Sequence, residues 1–68
     1  MELTIELECE ADGRWLCEVI ELPGVMAYGS SKAEALKAAE VLALRVLADQ
    51  LEHGEATAEH FFVKFKAA

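Results

Sequence analysis

Residues 2–9, ELTIELEC, alternate apolar and polar without a break. Leu3, Ile5, Leu7 and Cys9 fall on one side of an extended chain, and Glu2, Thr4, Glu6 and Glu8 on the other, which is the pattern of a strand with one buried face. Asp12-Gly13 then marks a hairpin, and Trp15 to Ile20 reads as a second strand. The charges decide how the two strands pair. A two-residue turn at Asp12-Gly13 would set Leu7 opposite Glu18 and put a carboxylate on the apolar face. A three-residue loop with Gly13 left-handed instead sets Cys9 opposite Trp15, Leu7 opposite Cys17 and Ile5 opposite Val19. The second register buries no charge and is the one expected.

Leu22-Pro23-Gly24-Val25 suits a type II turn, with Pro at its second position and Gly where φ must be positive. Val25 to Tyr28 reads as a short third strand closed by Gly29. Ser31 and Glu34 then have the S-x-x-E spacing of a capping box. No helix breaker follows from Lys32 to about His53, and Gly54 is a natural stop. On a helical wheel Ala35, Leu36, Ala39, Leu42, Ala43, Val46, Leu47 and Leu51 form a broad arc toward the sheet, with Glu34, Lys37, Arg45, Asp49 and Glu52 opposite. After HGEATA, Phe61, Val63 and Phe65 alternate with Phe62, Lys64 and Lys66 as a last strand. The order is β-β-β-α-β, an α+β arrangement. A right-handed crossover through the helix sets the last strand beside the first, giving a four-stranded mixed sheet of order 3-2-1-4 with one helix on one face. About 21 helical residues span roughly 31 Å, which matches a strand of eight or nine residues.

The 68 residues are expected to form one domain, 1–68, with an aliphatic core of marginal size. Net charge is −7, from 13 acidic and 6 basic residues, so direct binding of nucleic acid is disfavoured and encounter with a basic protein is favoured. No apolar run approaches the ~18 residues of a membrane span, and the chain reads as cytoplasmic with reduced thiols.

Several patterns resemble catalytic or ligand sites and have simpler explanations. Gly24 to Lys32, GVMAYGSSK, has the glycine spacing of a phosphate loop, but Lys32 comes two positions late and the intervening residues suit a strand. Glu2, Glu6 and Glu8 share a strand face without a convergent partner set, the expectation for a solvated face, with Lys64 or Lys66 close enough in register to pair with them. Cys9, Cys17, His53 and His60 lack zinc-site spacing; both cysteines are expected to face the core, too far apart on the diagonal to form a disulfide. Ser30 and Ser31 are better as caps than as nucleophiles. Trp15 belongs with the core beside Cys9. No catalytic set, metal site or cofactor is expected.

The run D-G-R-W-L-C-E-V-I-E-L-P-G-V, the helix start Y-G-S-S-K-A-E-A-L and the short last strand resemble the HicB family of bacterial antitoxins, over nearly the whole chain. Family members typically read D-G-x-[aromatic]-x-A-x-V-P-[DE]-L-P-G, then a strand and G-[DS]-[ST]-x-x-E-A; Ile20 stands where they usually have Pro. The resemblance implies a partial RNase H-like fold; nuclease activity is not expected with it, because Glu2, Glu6 and Glu8 lack a convergent partner set and a fold does not carry its best-known chemistry. The resemblance also implies a partner: a small HicA-type toxin, an mRNA-cleaving protein whose RNA-facing surface the antitoxin masks. Members usually carry a C-terminal DNA-binding domain, and none is expected in these 68 residues. The alternative is a self-associating accessory domain. Either function needs an exposed apolar surface. Val41, Leu44 and Ala48 form a stripe outside the core arc of the helix, and Leu16, Ile20 and Phe62 lie among glutamates on the far face of the sheet; these six are the candidate partner-binding residues.

Overall fold

The computed structural model describes residues 1–54 and 62–68. Its elements are β1 (Glu2–Cys9), β2 (Trp15–Val19), β3 (Met26–Gly29), α1 (Lys32–Glu52) and β4 (Lys64–Ala67). They build a four-stranded sheet of order β3-β2-β1-β4, in which β1 pairs antiparallel with β2 and parallel with β4. The last strand is shorter than the alternation suggests, and the Phe61 assignment lies outside the described residues. β2 stops one residue early, and β3 runs one residue later than expected, taking in Gly29.

The hairpin has the charge-sparing register. Ile5 faces Val19, Leu7 faces Cys17 and Cys9 faces Trp15. Glu10 and Arg14 close a three-residue loop: the Glu10 N–H donates to the Arg14 carbonyl at 2.7 Å, and Gly13 adopts φ +90°. At the next turn the Val25 N–H donates to the Leu22 carbonyl at 3.0 Å, with Gly24 at φ +86°. A Cβ at Gly24 would meet nothing within 4 Å, so the backbone angle alone requires glycine. Gly24→Val is therefore expected to cost about 1 kcal/mol or more in chemical denaturation, because a β-branched residue resists positive φ. An unchanged midpoint would contradict the turn assignment.

A carboxylate completes the sheet where β2 ends. Thr4 and Ile20 are opposite each other, and the Ile20 N–H donates to the Thr4 carbonyl at 3.0 Å. The reciprocal bond of such a pair is replaced: the Thr4 N–H and the Thr4 hydroxyl both donate to the Glu21 carboxylate, each at 2.6 Å. The hydroxyl and then the amide hold the Glu21 pKa below its ordinary value of 4.5. A depressed carboxyl pKa contributes stability that is present above the unfolded-state pKa and is lost as pH falls through the folded-state pKa. Wild type should thus exceed Glu21→Gln in stability at neutral pH, and the gap should close on acidification below about pH 4.5. A gap independent of pH would show that the charge is not what the two donors recognise.

The core lies between the sheet and α1. Leu3, Ile5, Cys17 and Val19 from the sheet, with Val25 just before β3, meet Ala35, Ala39, Ala43 and Leu47 from the helix, all buried. Spacing of four residues aligns the three alanines and Leu47 along one line of the helix. Small side chains along that line let the helix approach the sheet closely, and α1 lies mainly over β2 and β3 with little contact to β1. This placement corrects the assignment of Leu42. Leu42, expected in the core arc, is 36% exposed. Leu36 and Glu40 occupy the shoulder of the helix beside Ile5, Leu7 and Phe65; Leu42 is on the opposite shoulder, past edge strand β3, where the sheet has ended.

The helix ends follow the sequence signals with one change of partner. The Ser31 hydroxyl accepts from the Glu34 N–H at 3.1 Å, as a capping box requires, but the Glu34 carboxylate takes the Ser30 hydroxyl at 2.7 Å. At the other end the His53 N–H reaches the Asp49 carbonyl, and Gly54 turns the chain at φ +74°.

Candidate partner-binding surfaces

Strand alternation assigns the solvent face of the sheet residue by residue. Starting at β3, Tyr28 is opposite Leu16, which is opposite Glu8; Met26 is opposite Glu18, which is opposite Glu6. The other half of the face carries Thr4 beside Lys66 and Glu2 beside Lys64. An apolar strip on β3 and β2 therefore borders an acidic strip on β2 and β1.

The charges on this face are unevenly matched. Glu2 has Lys66 at 3.4 Å and Lys64 at 3.9 Å. Arg14 is bound to Asp12 at 2.7 Å while its guanidinium stacks 4.4 Å from the centre of the Tyr28 ring. Among the described residues no ion pair reaches Glu6, Glu8 or Glu18. These carboxylates and Leu16 line a shallow depression closed on one side by Ala67 and Ala68. Like charges directly opposite, as at Glu6 and Glu18, oppose strand pairing; the sheet tolerates them because water solvates both.

The six candidate residues are all accessible, but they do not form one patch. Val41, Leu44 (48% exposed) and Ala48 project from the solvent side of α1. Leu16, half-buried, and Ile20, exposed, lie on the other side of the molecule, on the outer sheet face. Phe62 (63% exposed) is separate again, beyond the Met1 end of the sheet, where its carbonyl accepts from the N-terminal amine at 2.9 Å. Met26 and Tyr28 (49% exposed) are the outer-face anchors that were not singled out from sequence. Their signal was the alternation within Val25 to Tyr28, whose Val25 and Ala27 point inward.

No family model, curated protein or solved structure matches this chain. Gly24 to Lys32 makes a turn, an edge strand and a helix cap, and the Lys32 ammonium sits 5.2 Å from the centre of the Trp15 ring. Both thiols are free. Burial pushes the Cys17 thiol pKa up, with a further push from Glu40, so this thiol is a poor nucleophile. Cys9 is exposed at the end of β1, a correction to its expected core position: α1 crosses β2 and β3 and leaves this corner of the sheet uncovered. Among the described residues no three His, Cys, Asp or Glu side chains converge as a metal site; His60 lies outside them. No described helix is long and apolar enough to cross a membrane.

Proposed function

We propose that this chain is a HicB-like antitoxin module that binds a small, basic HicA-type mRNA-cleaving toxin and neutralises it by covering its RNA-facing surface. The observation that carries this reading is the outer sheet face, where Tyr28, Met26 and Leu16 adjoin the carboxylates of Glu6, Glu8 and Glu18, which have no ion-pair partner among the described residues. Aromatic and methionine side chains serve as interface anchors, and a rim of one charge sign selects a partner of the other. A surface that engages RNA is basic, so this face is complementary to it. The strand order and the E-L-P-G turn with its following capped helix are consistent with the resemblance. The module acts by binding, as a cytoplasmic protein, with no cofactor and no reaction of its own.

The test is a search for a small basic reading frame beside this one, co-expression and co-purification with its product, and an RNA-cleavage assay with and without this chain. A stoichiometric complex and suppressed cleavage are expected. Failure to co-purify, with cleavage undiminished by excess of this chain, would overturn the reading.

A further inference from the structure

The solvent side of α1 carries a second pattern, independent of the acidic sheet face and of the toxin-binding reading. Glu34, Ala38, Val41 and Arg45 follow one another at intervals of four, three and four residues, the spacing of a helix-packing seam. On the structure these residues, with Lys37 and Leu42, line a single groove. The seam has an anion at one end, a cation at the other and small or apolar groups between. Among the described residues neither Lys37 nor Arg45 belongs to an ion pair.

We infer that this groove is the contact of a two-fold symmetric homodimer in which the two copies of α1 pack antiparallel. Reversing the direction of the seam about its midpoint sets Glu34 opposite Arg45 of the second copy and Ala38 opposite its Val41, and symmetry makes each contact twice. The charged ends are about 16 Å apart along the axis, so both ion pairs form at the rim while Ala38, Val41 and Leu42 pack at the centre. Ala38 opposite valine permits an interaxial distance near the short end of the usual ~8–10 Å range. The stem of Lys37 extends over the leucine of the second copy with its ammonium in water. Two copies, both acidic, repel overall, and this face is where they repel least. Each molecule carries a net charge of −7, and this face concentrates cations, so joining here keeps the acidic sheet faces on the outside of the dimer. The apolar centre is small, and the dimer is accordingly weak, in the micromolar range or above.

Sedimentation equilibrium of the 68-residue chain tests this with two charge reversals, Glu34→Arg and Arg45→Glu. Wild type should associate reversibly to a dimer. Each single variant places like charges opposite each other and should weaken association at least tenfold. An equimolar mixture of the two variants restores both ion pairs in a heterodimer and should recover wild-type mass, as should the double variant. Glu34 also takes the Ser30 hydroxyl, so Glu34→Arg could loosen the helix start; recovery in the mixture shows that the fold is intact. A monomeric wild type at millimolar concentration overturns the inference, as does a dimer unaffected by either reversal or one that the mixture fails to restore.

Discussion

Gly29→Ala is expected to destabilise the domain by about 2 kcal/mol or more, the range of overpacking in a region that cannot relax. Gly29 is buried at the end of β3 and has no positive φ, so backbone freedom is not what it supplies. Its role is the absence of a side chain. A Cβ built there would stand 2.9 Å from both the Ala35 Cα and the Glu34 carbonyl carbon, and closer still to the Ala35 nitrogen. These are backbone atoms of the first turn of α1, which is held by the Ser31 cap, and Ala35 itself is fully buried. Relief requires lifting the helix from the sheet, which would also loosen the contacts of Ala39 and Ala43. For a domain of this size the loss corresponds to a drop in melting temperature of about 8 °C or more. Gly24→Ala serves as the comparison: it strains the backbone but meets no neighbour. Thermal melts in which Gly29→Ala costs no more than Gly24→Ala would refute the close-approach argument.

The same contact explains where sequence reasoning stopped. Strand register was legible because a wrong register would have buried Glu18, a penalty large enough to exclude it. The turn at Gly24 and the cap at Ser31 were legible because their geometry is local to a few residues. Where α1 crosses the sheet is a tertiary property. A wheel centred on the widest apolar arc includes Leu42, whereas the helix rolls onto its alanine line, over β2 and β3, because Gly29 admits it there. That shift leaves Leu42 beyond the sheet edge and Cys9 uncovered. The exposed stripe of Val41, Leu44 and Ala48 survives, since it lies opposite the buried line under either placement.

The outer sheet face was only partly legible for a different reason. Leu16 and Ile20 stood out as apolar residues among glutamates, but membership of one patch depends on cross-strand neighbours. Register brings Tyr28 beside Leu16 and Met26 beside Glu18, neither of which can be seen in β2 alone. Phe62 resembled them in composition and is displaced to the Met1 end of the sheet.

Glu18→Lys should separate stability from binding. Glu18 and Glu6 are directly opposite on the outer face, and neither has a cation among the described residues. A lysine there replaces a like-charge pair with an opposite-charge one, which on an antiparallel sheet stabilises by about 0.5 kcal/mol. The free variant should therefore melt slightly above wild type. Binding should move the other way. If the acidic strip receives a basic toxin, a cation at its centre meets cations of the partner, and affinity should fall at least tenfold, with a slower association rate and a weaker dependence on salt. Net charge changes as well, so Glu52→Lys is the control: it makes the same change of charge at an exposed position near the end of α1, away from the sheet face. Titration calorimetry with the co-purified partner at two salt concentrations distinguishes the cases. Equal losses in the two variants would mean that overall charge attracts the partner and that the outer face is not its docking site. A Glu18→Lys protein that binds as wild type does would remove the acidic strip from the proposal altogether, and one that melts well below wild type would show that the Glu6–Glu18 pair is not the repulsive contact its register implies.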